Sequence, residues 1–471
     1  MTTTPPPAAP RAAAPPPAAA VPARAGRPAG SPASPVGAVP PGMPATPAPA
    51  TGTRGRIDAV VASTRAAMAG TPGRMRAVGI VSVVAALLFG LAAGQAFRSA
   101  DGALSRAASN ADQLVRIQAI QTNVVQADAD ATNAFLVGGL EPPAQRADYT
   151  GAIASASELI AQAAQHQPAD GAALGALNQS LVTYTSQVEQ ARANNRQALP
   201  VGAQYLKSAS ADLRAEALPL LANLGEANDG RVTQEFDRAG RSALWLVLPG
   251  LLALLVLGLS LVWLARRTRR YVNVPLAVGA VVVLVTLVLG TFGLLSVKSS
   301  VDATRDGVYA ATRSTAQARI AGFDAKSNES LTLIARGSGA SFEKAWQASS
   351  TAVGGALAAL EQNPASSGLD PLPWKGYTDV HHEIRTRDDA GDWEKAVALA
   401  TGSGPESGNG AFAAFDTASD TQLTQLSGQT AQQLDGTGGW LPFAGVLGLL
   451  AGLVAALCAW WGVSLRLEEY R

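Results

Sequence analysis

The sequence predicts an all-α membrane protein: four transmembrane helices carrying two extracytoplasmic helical bundles, with the bundle helices continuous with the spans. Three observations predict it. Residues 77–97, 243–265, 274–297 and 440–463 are uncharged runs of 21 residues or more, long enough at about 1.5 Å per residue to cross roughly 30 Å of hydrocarbon. Charge is segregated although the net charge of the 471 residues is only +1. The long segments between spans repeat their apolar residues at helical, heptad-like spacing.

The segregation orients the chain. Residues 1–76 hold eight arginines and one acid, while residues 98–242 hold 11 basic and 15 acidic residues and residues 298–439 hold 11 and 17. Between the second and third spans, the loop 266–273 carries Arg266, Arg267, Arg269 and Arg270. Arginine is costly at mid-membrane and short basic segments stay on the cytoplasmic side. Both termini and this hairpin loop are therefore expected in the cytoplasm of a multi-pass plasma-membrane protein, and the two long, mildly acidic segments outside.

Taken in order, residues 1–76 open with a Pro/Ala-rich stretch that has few large side chains to bury, so the expectation is a disordered tail. Its end, from Arg56 to Met68, reads either as a short helix on the inner membrane surface or as a frayed juxtamembrane segment. Ala93-Gly94-Gln95-Ala96 resembles a small-residue cleavage site, but the 76 residues ahead of the first span argue for an uncleaved anchor. The first outer segment reads as an up-down-up-down four-helix bundle. Its first helix carries Ile117, Ile120, Val124, Ala127, Ala131 and Phe135, and stops at Gly138-Gly139-Leu-Glu-Pro142-Pro143. The second carries Tyr149, Ala152, Ala156, Leu159, Ile160 and Ala163. The third holds the cleanest heptad, Leu174, Leu177, Leu181, Tyr184, Val188 and Ala191. The fourth shows Leu206, Ala209, Leu213, Ala217, Leu220 and Leu224, with Pro219 as a kink site, and feeds the second span.

The second outer segment repeats the plan less regularly. A long helix from Val297 carries Val301, Val308, Ile320, Phe323, Leu331 and Ile334 and breaks at Arg336-Gly337-Ser-Gly339. A helix with Phe342, Trp346, Val353 and Leu360 follows, then a shorter piece over residues 374–400. A last helix with Phe412, Phe415, Leu423, Leu426 and Leu434 runs into the fourth span. The tail 464–471 is cytoplasmic.

No enzyme site, cofactor site or nucleic-acid surface emerges. Adjacent histidines on a helix point about 100° apart, so His381-His382-Glu383 reads as a solvated helix face rather than a metal site. The single Cys458 lies within the last span and reads as a packing residue. Binding is the better prospect. The loops at the membrane-distal tip gather Arg146, Arg192, Arg196 and Arg336, which are either ordinary exposed charges or a bidentate grip for a carboxylate. Asn328 and Glu329, in the unusually polar stretch ending at Arg336, form a candidate contact surface or a structural helix turn. On the other side of the membrane, Arg266, Arg267, Arg269 and Arg270 are candidates for coupling to an inner partner, beside their role in fixing orientation.

A bundle whose first and last helices continue into spans resembles the ligand domain of bacterial chemoreceptors, without their cytoplasmic modules. A closer likeness rests on Ala129-Asp-Ala-Thr-Asn-Ala-Phe-Leu-Val-Gly-Gly-Leu-Glu-Pro142, on Phe323-Asp-Ala-Lys-Ser-Asn-Glu-Ser-Leu-Thr-Leu-Ile-Ala-Arg-Gly337 and on Arg466-Leu-Glu-Glu-Tyr-Arg471. In these stretches the chain resembles the GlnX-like four-span membrane family. That resemblance implies a signal relay in which an extracytoplasmic amino-acid-binding lipoprotein engages the outer bundles and a soluble serine/threonine kinase responds inside. The alternatives are a chemoreceptor-like protein that binds a small molecule directly, and a transporter or channel component; a homodimer is compatible with all three.

Overall fold

The computed structural model describes residues 71–137, 141–268 and 273–468, all but the turns and short connections of which are helical, with no strand among them. Of the expected disordered tail and juxtamembrane segment, residues 1–76, positions 1–70 lie outside the described residues and 71–76 belong to the first helix.

Helix α1 (Thr71–Val137) is 67 residues long and reaches about 100 Å without a break. Its first third is the apolar run, and the rest is the spine of the head. Helix α2 (Pro143–His166) starts with proline in its first turn, where the missing N–H costs nothing. A 3-10 turn at Pro168–Asp170 leads into α3 (Gly171–Arg196). The buried Asp170 carboxylate of that turn accepts hydrogen bonds from Asn228 Nδ2 at 3.0 Å and Arg231 Nη2 at 2.7 Å, tying the turn to the returning helix.

That return consists of α4 (Val201–Asp212), a π turn at Leu213–Ala217 and α5 (Leu218–Thr268). Pro219 lies two residues past the wide turn, and its ring, which clashes with the carbonyl four residues back, and its missing N–H explain why regular α-helical bonding gives way there. The extra residue in the turn shifts the buried stripe. Leu213, Ala217, Leu221 and Leu224 face the core, and the expected Leu220 is only partly covered. The heptad on α3 is buried at all six positions.

In the second half, α6 (Val274–Thr304) passes through a π turn at Arg305–Tyr309 into α7 (Ala310–Ile334). Helix α8 (Ala340–Glu361) follows, then α9 (Trp374–Asp389) and α10 (Trp393–Thr401), α11 (Gly408–Gly438) and α12 (Leu441–Glu468). The single short piece expected over residues 374–400 is two helices, separated at Gly391, which sits at φ +84°.

The two helical bundles meet along α1 and α7 and share a core. Val125 and Ala129 of α1 belong to the same buried cluster as Phe323, Trp346, Tyr377, Phe412 and Phe415. Helix α7 is consequently covered on nearly every side, its polar residues Ser327, Asn328, Glu329 and Ser330 included. The sequence leaves Asn328 and Glu329 as either a candidate contact surface or a structural helix turn. Each is 1% exposed, so the polar run marks an interior network instead.

Four helical rods, residues 73–137, 201–267, 274–334 and 408–468, are long and apolar enough to cross a membrane. Their apolar parts form a ring in the order α1, α5, α6, α12. Without a hydrophobic drive between helices in lipid, close packing of small residues holds such a ring. At the tightest crossing a Cβ added to Gly452 would lie 2.3 Å from Gly90 Cα, so only glycine fits on either helix. Ser82 Oγ donates to Ser260 Oγ at 2.9 Å between α1 and α5. Asn273 Nδ2 donates to Gly462 O at 2.7 Å while its Oδ1 caps the start of α6. The outer face of the ring is a belt of exposed Leu, Val, Phe and Trp, with Phe292 75% exposed. Such a belt suits lipid rather than water, and the four helices fit a multi-pass membrane protein.

Candidate functional site

About 34 residues beyond the apolar run, roughly 50 Å along α1, four helix ends converge at the tip of the head. The last turns of α1 and α3 and the first turns of α2 and α4 enclose a pocket of about 320 Å3. The α3–α4 connection is tight: Ala198 takes a positive φ of 56°, and a Cβ on Gly202 would lie 3.0 Å from Ala191 O. The floor is the end layer of the bundle core, including Ala131, Ala134, Val188 and Leu206.

Three of the four arginines expected at the tip line this pocket: Arg146, Arg192 and Arg196. Arg192 is largely buried, donates to Glu141 at 2.8 Å and Glu189 at 2.9 Å, and stacks 4.0 Å above the Tyr149 ring. Arg146 is half-exposed and reaches the same two carboxylates at 3.5 and 3.3 Å. Arg196 is exposed, and its guanidinium has no partner among the described residues. Burial works to raise the Glu189 carboxyl, and the Arg192 and Arg146 guanidiniums outweigh it, so Glu189 is ionised at neutral pH. Nearby, burial with the charges of Asp148 and Asp416 pushes Asp130 up to about 8.

Arg336 is not part of this cluster. It lies at φ +41° with its guanidinium 4.0 Å above the Trp393 ring, in a separate cavity of about 930 Å3 bordered by Lys344 and Arg385. Arg266 and Arg267 are exposed in the last turn of α5; Arg269 and Arg270 lie outside the described residues. No group of His, Cys, Asp and Glu among the described residues is arranged to hold a metal ion.

Two buried polar clusters escaped the sequence reading. In the first, Arg214 on the π turn bridges the two halves. It donates to Asp128 of α1 at 2.9 Å and pairs with Asp324 of α7 at 2.8 Å. Asp128, 1% exposed, also accepts from Ser210 at 2.7 Å, Ser327 at 2.5 Å and Tyr184 at 3.3 Å. Burial works against the charged guanidinium, and the two carboxylates more than offset it, raising Arg214 further. A charge at position 128, one residue off the buried stripe of an otherwise apolar helix face, was the available signal.

The second cluster corrects the expectation of a solvated His381. Its ring is fully buried and stacks 3.5 Å from Trp346. His381 Nδ1 lies 2.8 Å from Glu329 and Nε2 lies 3.3 Å from Glu343, the latter without hydrogen-bond alignment. Lys326 donates to Glu329 at 2.7 Å. Burial would raise Glu329, but Lys326 and His381 hold it at about 2. Burial would lower His381, and the two glutamates raise it instead. His382 and Glu383 are exposed, so the expected solvated face holds for these two and fails for His381.

Residues 103–237 match the family model of the actinobacterial sensor domain. The matched stretch runs from the head portion of α1 through α2, α3 and α4 into α5, which is the bundle that holds the tip pocket and Arg214. No curated protein and no solved structure matches the chain. A sensor-type domain on four apolar helices fits a membrane sensor.

Proposed function

We propose that the chain is a signal relay of the plasma membrane, with both termini and the arginine hairpin in the cytoplasm. An extracytoplasmic amino-acid-binding lipoprotein engages the head, and a cytoplasmic serine/threonine kinase reads the result. The observation that carries this reading is continuity: α1 runs as one rod, and α4 to α5 as a second, from the sensor-matched bundle into the apolar ring. A partner or ligand that prefers one packing of the head shifts the population of that packing, and shifts of about 1–2 Å along a helix are a typical signalling amplitude. The Arg214 bridge supports transmission to the second half, because a displaced α4 moves the π turn that follows it, and with it the guanidinium that holds Asp128 and Asp324.

Two measurements test this. Cross-linking the full chain in its native membrane is expected to recover a solute-binding lipoprotein on one face and a kinase on the other. Ala239→Pro places a proline in the middle of α5 where it enters the apolar ring, at a cost of about 3 kcal/mol in helix bonding. It is expected to leave the outer cross-link intact and abolish the kinase response. Full phosphorylation of the kinase's substrate in that variant overturns the relay.

A further inference from the structure

We infer that the tip pocket itself binds a free α-amino acid with an apolar side chain of leucine or phenylalanine size. The consequence of binding rests on the relay reading; the binding does not.

The pocket offers three chemically distinct surfaces. Its floor is apolar: Ala131 and Ala134 of α1, Val188 of α3 and Leu206 of α4 close it, each 6% exposed or less. It is also lined by the exposed Arg196, unpaired among the described residues, and by Arg146, whose contacts to Glu141 and Glu189 are long at 3.5 and 3.3 Å. Glu189 is half-exposed and ionised. Three guanidiniums and two carboxylates line the pocket, and the two carboxylates are already met by Arg192 and Arg146, which leaves Arg196 for a ligand's carboxylate. A carboxylate held by Arg196 and Arg146 leaves Glu189 for an ammonium, and these two groups on one carbon point the side chain toward the floor.

The same features exclude neighbouring ligand classes. An acidic side chain reaching the floor would meet only Ala, Val and Leu, because Arg192 is already held by both glutamates and by the Tyr149 ring; desolvating that second carboxylate without a partner is costly. A phosphate dianion in the pocket would face Glu141 and Glu189. A volume of about 320 Å3 lies at the small end of ligand pockets, which excludes a peptide. The ligand's side chain would add a layer to the core between α1 and α4, the two helices that lead into the apolar ring.

The test is calorimetry on the full chain in lipid nanodiscs, titrated with L-leucine, L-phenylalanine, L-glutamate, 4-methylvalerate, which lacks the ammonium, and 3-methylbutylamine, which lacks the carboxylate. Leucine and phenylalanine are expected to bind, and loss of either charged group to weaken binding about tenfold or more. Arg196→Gln, a surface change that leaves the fold intact, is expected to weaken leucine about tenfold. No heat with either apolar amino acid, tighter binding of glutamate than of leucine, or equal affinity in wild type and Arg196→Gln each overturns the inference. Failure to bind any amino acid while cross-linking recovers the lipoprotein sinks this inference and leaves the relay standing. Leucine binding with no outer partner recovered does the reverse.

Discussion

Asp128 shows how much one buried charge governs here. With 1% of its surface exposed it depends on Arg214 and three hydroxyls, and removing one partner of a buried pair costs far more than the pair contributes. Arg214→Leu is expected to cost about 3 kcal/mol, at the low end for buried pairs because the guanidinium is partly exposed and Ser210, Ser327 and Tyr184 remain. Asp128→Asn added to it is expected to recover part of that loss, read as the denaturation midpoint of the purified protein. At His381 the prediction concerns pH. Its pKa is raised in the folded state, so its stabilisation is complete below its ordinary value of 6.5 and is lost as pH rises through the raised value. Glu329, held at about 2, gives stability that is present above its ordinary 4.5 and lost as pH falls toward 2. Lys326, Glu343, Arg385 and Tyr377 face the same cluster from α7, α8 and α9. Thermal stability is therefore expected to decline as pH rises above about 6.5 and through the raised His381 value, and His381→Gln to lower it at pH 6 while flattening that decline.

Among the elements, α1 and α12 make the closest helix crossing. Glycines there act by absence: the 2.3 Å between a Gly452 Cβ and Gly90 Cα leaves no room for side-chain adjustment, because the obstacle is backbone. Gly452→Val is expected to force the helices apart and cost about 1–3 kcal/mol, seen as a lower melting point in detergent. The exposed Gly428 on α11, with nothing near its Cβ, is the control position, and Gly428→Ala is expected to be neutral or slightly stabilising. The π turn at Leu213–Ala217 is the other element-level device. It turns Arg214 toward α7 and rotates the remainder of α5 by the one residue that replaces Leu220 with Leu221 in the core.

Across the whole molecule the two halves are fastened twice, once in the apolar ring and once where α1 meets α7. A chain divided between Arg270 and Tyr271 and expressed as two polypeptides is expected to co-purify as a 1:1 complex. Separate elution of the halves would show that the shared core of Val125, Ala129, Phe323 and Phe415 does not hold them. In the context of the relay, this fastening means that a change at the tip of the first bundle reaches all four apolar helices.

By itself the sequence determined the helical class, the four apolar rods and the first bundle's core, because each depends on the period of apolar residues along one chain. Leu174 through Ala191 were legible since a heptad reports burial directly. It also gathered Arg146, Arg192 and Arg196, because a loop's place at the end of an up-down bundle follows from helix order. Only the tertiary structure decided that Arg336 stands apart, that Asn328 and Glu329 are interior, and that His381 rather than solvent meets Glu329. The physical reason is common to all three. Whether a polar residue is buried is set by helices that pack onto it from distant parts of the chain, and a run of serines, asparagines and glutamates looks the same whether water or a matched buried network satisfies it.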